Sequence, residues 1–157
     1  MLTFTLKLEM EVLKIIIATL IGTTVMTAFS YYISEKFDKL FKEPVLLNYL
    51  MVMAGLNLKG NLEKLAGWVL HYFIGLLFVI AYNYIWKLYE LSWLSALYLG
   101  IGSGIVGIVS WIIMFSMSSA TPKVHFKEYY LQLFFAHIFF AFAVTATYKI
   151  FEMITTM

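Results

Sequence analysis

The chain has 157 residues, 62 % of them hydrophobic and 13 % charged, with a formal net charge of +2. All eleven basic residues are lysine and cysteine is absent. Disulfides, thiolate metal sites, thiol nucleophiles and Fe–S ligation are therefore excluded, and bidentate guanidinium recognition of phosphate or carboxylate has no residue to perform it. So thin a positive balance, interleaved with acids, carries no nucleic-acid footprint. A mean hydropathy of +0.87 instead directs attention to lipid.

At the start of the chain Leu2, Phe4, Leu6, Leu8 and Met10 alternate with Thr3, Thr5, Lys7 and Glu9. That period suits a strand, but a lone strand leaves both edges unpaired, so the segment is read as an interfacial extension of the first helix. Four apolar stretches follow, over 12–33, 65–86, 93–117 and 129–150. Each reaches the ~20 residues that a helix needs to cross the bilayer core. Lipid offers backbone N–H and C=O groups no water, so such segments must be helical. The first is too long for a signal-peptide core and no A-x-A site follows it, which predicts an uncleaved anchor.

Between the first two spans, Glu35, Lys36, Asp38, Lys39, Lys42 and Glu43 precede an apolar run over 44–56. A helix of that length covers only ~20 Å and cannot span. Pro44 suits its first turn, and Gly55, Gly60 and two asparagines suit its end. The expected fold is all-α: a four-transmembrane-helix bundle in a single integral membrane domain over 1–157, with one extra helix at the interface or tucked against the bundle.

Seven lysines lie in the connections after spans one and three (Lys36, Lys39, Lys42, Lys59, Lys64, Lys123, Lys127), against Lys7, Lys14, Lys87 and Lys149 on the other face. This asymmetry predicts that those two connections are cytoplasmic. An internal duplication is also suggested. Ile21-Gly22-Thr23 and Ser30 match Ile101-Gly102-Ser103 and Ser110 at identical spacing, and His71, Phe73, Gly75, Tyr82 match His137, Phe139, Ala141, Tyr148. Repeat-built membrane proteins place sites at the repeat interface.

Ionisable groups inside a membrane are costly and are the first candidates for function. The spans contain His71, which shares a helical stripe with Gly67 and Gly75, and His137, which shares one with Ala141, Val144 and Tyr148. Both helices start from the same side, and the two rings sit at depths that differ by only about 3 Å. At that level the first span presents a polar stripe of Thr23, Thr27 and Ser30, and the third presents small residues at Gly100, Gly104 and Gly107. The simplest role for each histidine is a hydrogen bond to a neighbouring helix. The functional alternatives are a ligand site, with His71 and His137 ligating one metal or a haem, and proton handling. No Asp or Glu falls inside a span, and none of the usual catalytic motifs occurs. Gln132 and Asn83 are expected to bridge helices. The run Phe134, Phe135, Phe139, Phe140 and Phe142 is expected to meet lipid or a partner.

The segment Gly67-Trp68-Val69-Leu70-His71-Tyr72-Phe73-Ile74-Gly75 resembles the Gly-Trp-x-x-His-Tyr-x-x-Gly signature of a group of small bacterial four-span inner-membrane proteins. The segment 22–27 and His137 are similar to that group's first and last spans, with Thr27 standing where the group has an aspartate. The resemblance implies the four-span architecture and marks His71 and Gly75, without implying a reaction. The functional expectation is a non-enzymatic accessory or scaffold subunit with a lipid or small-molecule pocket between helices. The alternatives are a haem- or metal-binding electron-transfer subunit and a small channel or transporter. Expected partners are the bilayer and other membrane subunits or further copies of the chain.

Overall fold

The computed structural model describes residues 2–56, 60–117 and 124–156. The connection residues Lys59 and Lys123, used above for orientation, lie outside them. Five helices make up the described chain: α1 (Leu2–Lys36), α2 (Glu43–Met53), α3 (Asn61–Ile85), α4 (Trp93–Met117) and α5 (Phe126–Thr156). α1, α3, α4 and α5 are each long and apolar enough to cross a membrane, whereas α2 is not. The alternating N-terminal segment is helical and continuous with the first span.

The distribution of polarity fits lipid as the solvent. Along α3, Val69, Phe73, Leu77, Ile80 and Tyr84 are exposed, while the bundle interior buries Thr19, Thr23, Thr27, Ser30, His71, Ser103, Gln132, His137 and Thr145. Apolar side chains outside and hydroxyls inside invert the arrangement of a water-soluble bundle, because helices in lipid gain from close packing and polar contacts rather than from hiding apolar surface. Several of the interior hydroxyls bond back to their own helix. Thr19 donates to Ile15 O, Thr27 to Thr23 O and Thr147 to Ala143 O, which satisfies groups that water cannot reach.

α5 is the central element and packs along both α1 and α4, while α3 packs on α1 and α2. The α4–α5 seam is set by glycines at positions 100, 104 and 107, one stripe of the helix. A Cβ at Gly100 would lie 2.9 Å from Ile138 Cα, and one at Gly104 2.9 Å from Phe134 Cδ2. Side chains there would force the helices apart. Tyr82 and Ser103 tie α3 to α4 at 2.7 Å, and Tyr148 donates to Asn83 Oδ1 at 3.2 Å. Asn83 thus bridges helices as expected. The phenylalanine run divides: Phe135 and Phe139 are exposed, but Phe140 is 1 % exposed and belongs to the core. It faces α3 because α5 is packed on two sides.

The chain between α1 and α2 turns sharply. Asp38 takes a left-handed conformation (φ 51°), and Ser34 Oγ donates to Lys39 O and accepts from Phe41 N. Phe41 is buried against Tyr129, with ring centroids 6.2 Å apart. Pro44 then sits in the first turn of α2, where its missing N–H is not needed. The helix starts inside the bundle, not on its surface, and Glu43, Pro44, Leu46 and Leu47 are buried.

Candidate functional site

Each histidine sits beside a small or hydroxylic residue one helix away. His71 Nε2 lies 2.9 Å from Thr27 Oγ1, and Thr27 already donates its proton to Thr23 O at 2.7 Å. Thr27 must therefore accept from His71 Nε2–H. His137 Nδ1 lies 2.9 Å from Leu133 O. A carbonyl only accepts, so Nδ1 carries the proton and the neutral ring keeps its acceptor lone pair on Nε2. The His137 ring lies over Gly107, where a Cβ would come within 2.7 Å of Cε1 and 2.9 Å of Nε2. Phe78 meets the same ring edge-on at 5.5 Å.

The other predicted positions are distributed as follows. Gly75 is packed against Thr23, whose Oγ1 would overlap any Cβ there, and Gly67 is packed against Pro44 O and Asn48 of α2. These two glycines serve helix contact. Ala141 is buried and its Cβ lies 3.2 Å from the position a Cβ would take at Gly100. Ser30 is fully buried and donates to a carboxylate, Glu43 Oε1, at 2.7 Å.

Glu43 is the residue that sequence reasoning missed. It stands among charged residues in a connection, yet it is 1 % exposed, held between α1 and α5. Gln132 Nε2 donates to Ser30 Oγ at 2.5 Å and reaches Glu43 Oε1 at 3.4 Å, so Gln132 bridges helices as expected. Glu43 Oε2, Gln132 Oε1 and Thr23 Oγ1 are buried without a hydrogen-bond partner among the described residues. Each such group costs on the order of 1–3 kcal/mol, more when charged. Burial pushes the Glu43 carboxyl up to about 7 from an ordinary 4.5, opposed by the hydrogen bonds from Ser30 and Gln132. The only sequence signal was Pro44, which marks Glu43 as the start of an apolar helix.

These groups converge. A cavity of about 80 Å³ is lined by Thr23, Glu43, His71, Gly75, Gly107 and His137, together with apolar side chains from all five helices. The two imidazoles thus share one hollow with the Glu43 carboxyl and the Thr23 and Ser110 side chains. Among the described residues no group of three or more His, Asp or Glu is gathered closely enough to hold a metal ion. The volume also lies well below the roughly 300–1,000 Å³ of pockets that take drug-sized ligands or cofactors. A cavity this size holds several waters or one small polar group. Comparison with protein-family models, with curated proteins and with solved structures finds no match to this chain.

Proposed function

We propose that this chain is a non-enzymatic multi-pass membrane protein that takes up a lipid or small molecule with a polar group between its helices and acts as an accessory or scaffold subunit. Its partners in this reading are the bilayer and other membrane subunits or further copies of itself. Its compartment is a bacterial inner membrane, in keeping with the Gly67–Gly75 signature. The lysine asymmetry supports a cytoplasmic location for the connections that follow α1 and α4.

One observation carries the ligand reading: a bundle interior that buries Glu43 Oε2 and Thr23 Oγ1 without partners beside a cavity that also receives His71 and His137. Orphaned polar atoms of this kind are destabilising unless something in the cavity satisfies them. A channel or transporter reading is less well supported, because buried Val79, Tyr82 and Phe140 fill the bundle beyond the cavity, with the last two rings 5.8 Å apart.

The test is chemical. Small molecules extracted from the purified protein are compared by mass spectrometry with those from Gly107→Val, whose side chain displaces the His137 ring into the cavity, and from an unrelated membrane protein in the same detergent. A compound enriched in the wild type and lost from the variant is the expected result. Identical extracts from all three preparations would remove the ligand reading.

A further inference from the structure

A second hollow borders the central cavity. Leu47 and Met114 line the central cavity and also line this second hollow of about 360 Å³, whose other walls include Leu50, Met51, Leu70 and Met117. This second hollow exists because α3 packs on α1 and α2 while α4 packs on α5, so the two helices part below the Tyr82–Ser103 tie. The C-terminal half of α2 occupies the gap. Among the described residues its walls are Leu, Met and Ala side chains, and methionine is the apolar side chain best able to follow an irregular, flexible guest.

The two hollows differ in chemistry and meet at a shared wall. The inner one offers acceptors: the unpartnered Glu43 Oε2 and the Nε2 lone pair of His137, with the Thr23 hydroxyl beside them. Among the described residues no lysine lines it. A phosphate or carboxylate head would meet the oxygens of Glu43 and the acceptor nitrogen of His137 with no countercharge among those residues. A head that donates hydrogen bonds satisfies the orphaned oxygen.

We infer that the inner cavity and the α2–α3–α4 groove together form one site for a single-chain amphiphile. Its hydroxyl or ammonium head donates to Glu43 and His137, and its hydrocarbon chain lies along Leu50, Met51, Leu70 and Met117. This names the guest of the reading above and rests on it.

The experiment uses the full chain in phosphatidylcholine nanodiscs with hexadecanol, hexadecylamine and palmitic acid, each carrying a mid-chain diazirine. After photolysis, the alcohol and the amine should label peptides containing Met51 and Met114, and palmitate should label them roughly tenfold less, the discrimination expected when one good head contact is replaced by repulsion. Glu43→Gln should abolish the preference between heads while chain labelling persists. Leu70→Trp should block the groove. Met117→Trp, at a rim position that is 81 % exposed, repeats that obstruction away from the core. Equal labelling by all three probes, or labelling confined to the outer faces of α1 and α3, overturns the assignment. Retention of a water-soluble guest with no probe in the groove also overturns it, but leaves the small-guest reading standing. Loss of every enriched compound removes both.

Discussion

Two glycines on the same helix provide an internal comparison. Gly107 faces the His137 ring, whereas a Cβ at Gly102 meets nothing within 4 Å. Gly107→Ala should lower stability by about 1–3 kcal/mol through overpacking. Gly102→Ala should raise it by up to ~1 kcal/mol through helix propensity. Thermal melts in one detergent compare the two, and equal shifts would contradict the packing of His137 on α4. Glu43 supplies a second residue-scale prediction. A carboxyl whose folded value is raised binds more protons folded than unfolded, so its stabilising effect is present at low pH and is lost as pH rises through the folded value. The Tm of the wild type minus that of Glu43→Gln should therefore fall from pH 4.5 to about 7 and then level off. His71, His137 and Tyr129 are common to both proteins and largely cancel in the difference. A flat difference would show that the carboxyl is solvated.

At the scale of elements, α2 is docked through its first turn. Gly67 allows α3 to touch the Pro44 carbonyl, a backbone atom that cannot rotate away. Gly67→Ala should accordingly loosen α2, read as faster hydrogen exchange of the 43–53 amides with little change in α5. Tyr82 and, at the end of α3, Trp86, which donates to Ser95 Oγ at 3.1 Å, tie α3 to α4. Tyr82 OH contacts Ser103 Oγ and donates to Leu99 O. Tyr82→Phe and Ser103→Ala should each cost about 1 kcal/mol, and the double variant should cost less than their sum because they remove the same bond. The proposed duplication gains support from equivalent contacts. His71 meets Thr27 between α3 and α1, and His137 meets Gly107 between α5 and α4. Thr27 stands five residues after Gly22, and Gly107 five after Gly102, so each histidine meets the matching position of its own helix pair.

For the whole molecule, the cysteine-free chain makes topology directly measurable. Phe37 and Leu88 are exposed between successive helices, at 55 % and 68 %. Single cysteines at those positions should label with an impermeant maleimide from opposite sides of the membrane. Phe37→Cys should be reached only from the cytoplasmic side if the lysine asymmetry sets orientation. Labelling of both from one side would contradict a crossing by α3. The same helices that are long and apolar enough to cross a bilayer also shape the site, since α1, α3, α4 and α5 each contribute side chains to the cavity.

Much of this architecture was legible in advance because the bilayer imposes a length and a composition on every crossing. The four spans, the short helix after Pro44, and the matched level of His71, His137, Thr27 and Gly107 all follow from apolar run lengths and a 1.5 Å rise per residue. Glu43 was not legible. In sequence it is one of six charged residues in a connection, and nothing local separates it from Glu35 or Lys39. Its burial results from the Asp38 turn, the Phe41 plug and the docking of α2 on α3, contacts between segments distant in the chain. Sequence alone determined which segments are long and apolar enough to enter lipid, because each must satisfy its own backbone there. Only tertiary packing decided which polar side chains share an interior, because that depends on the helix faces brought together and on the space left between them.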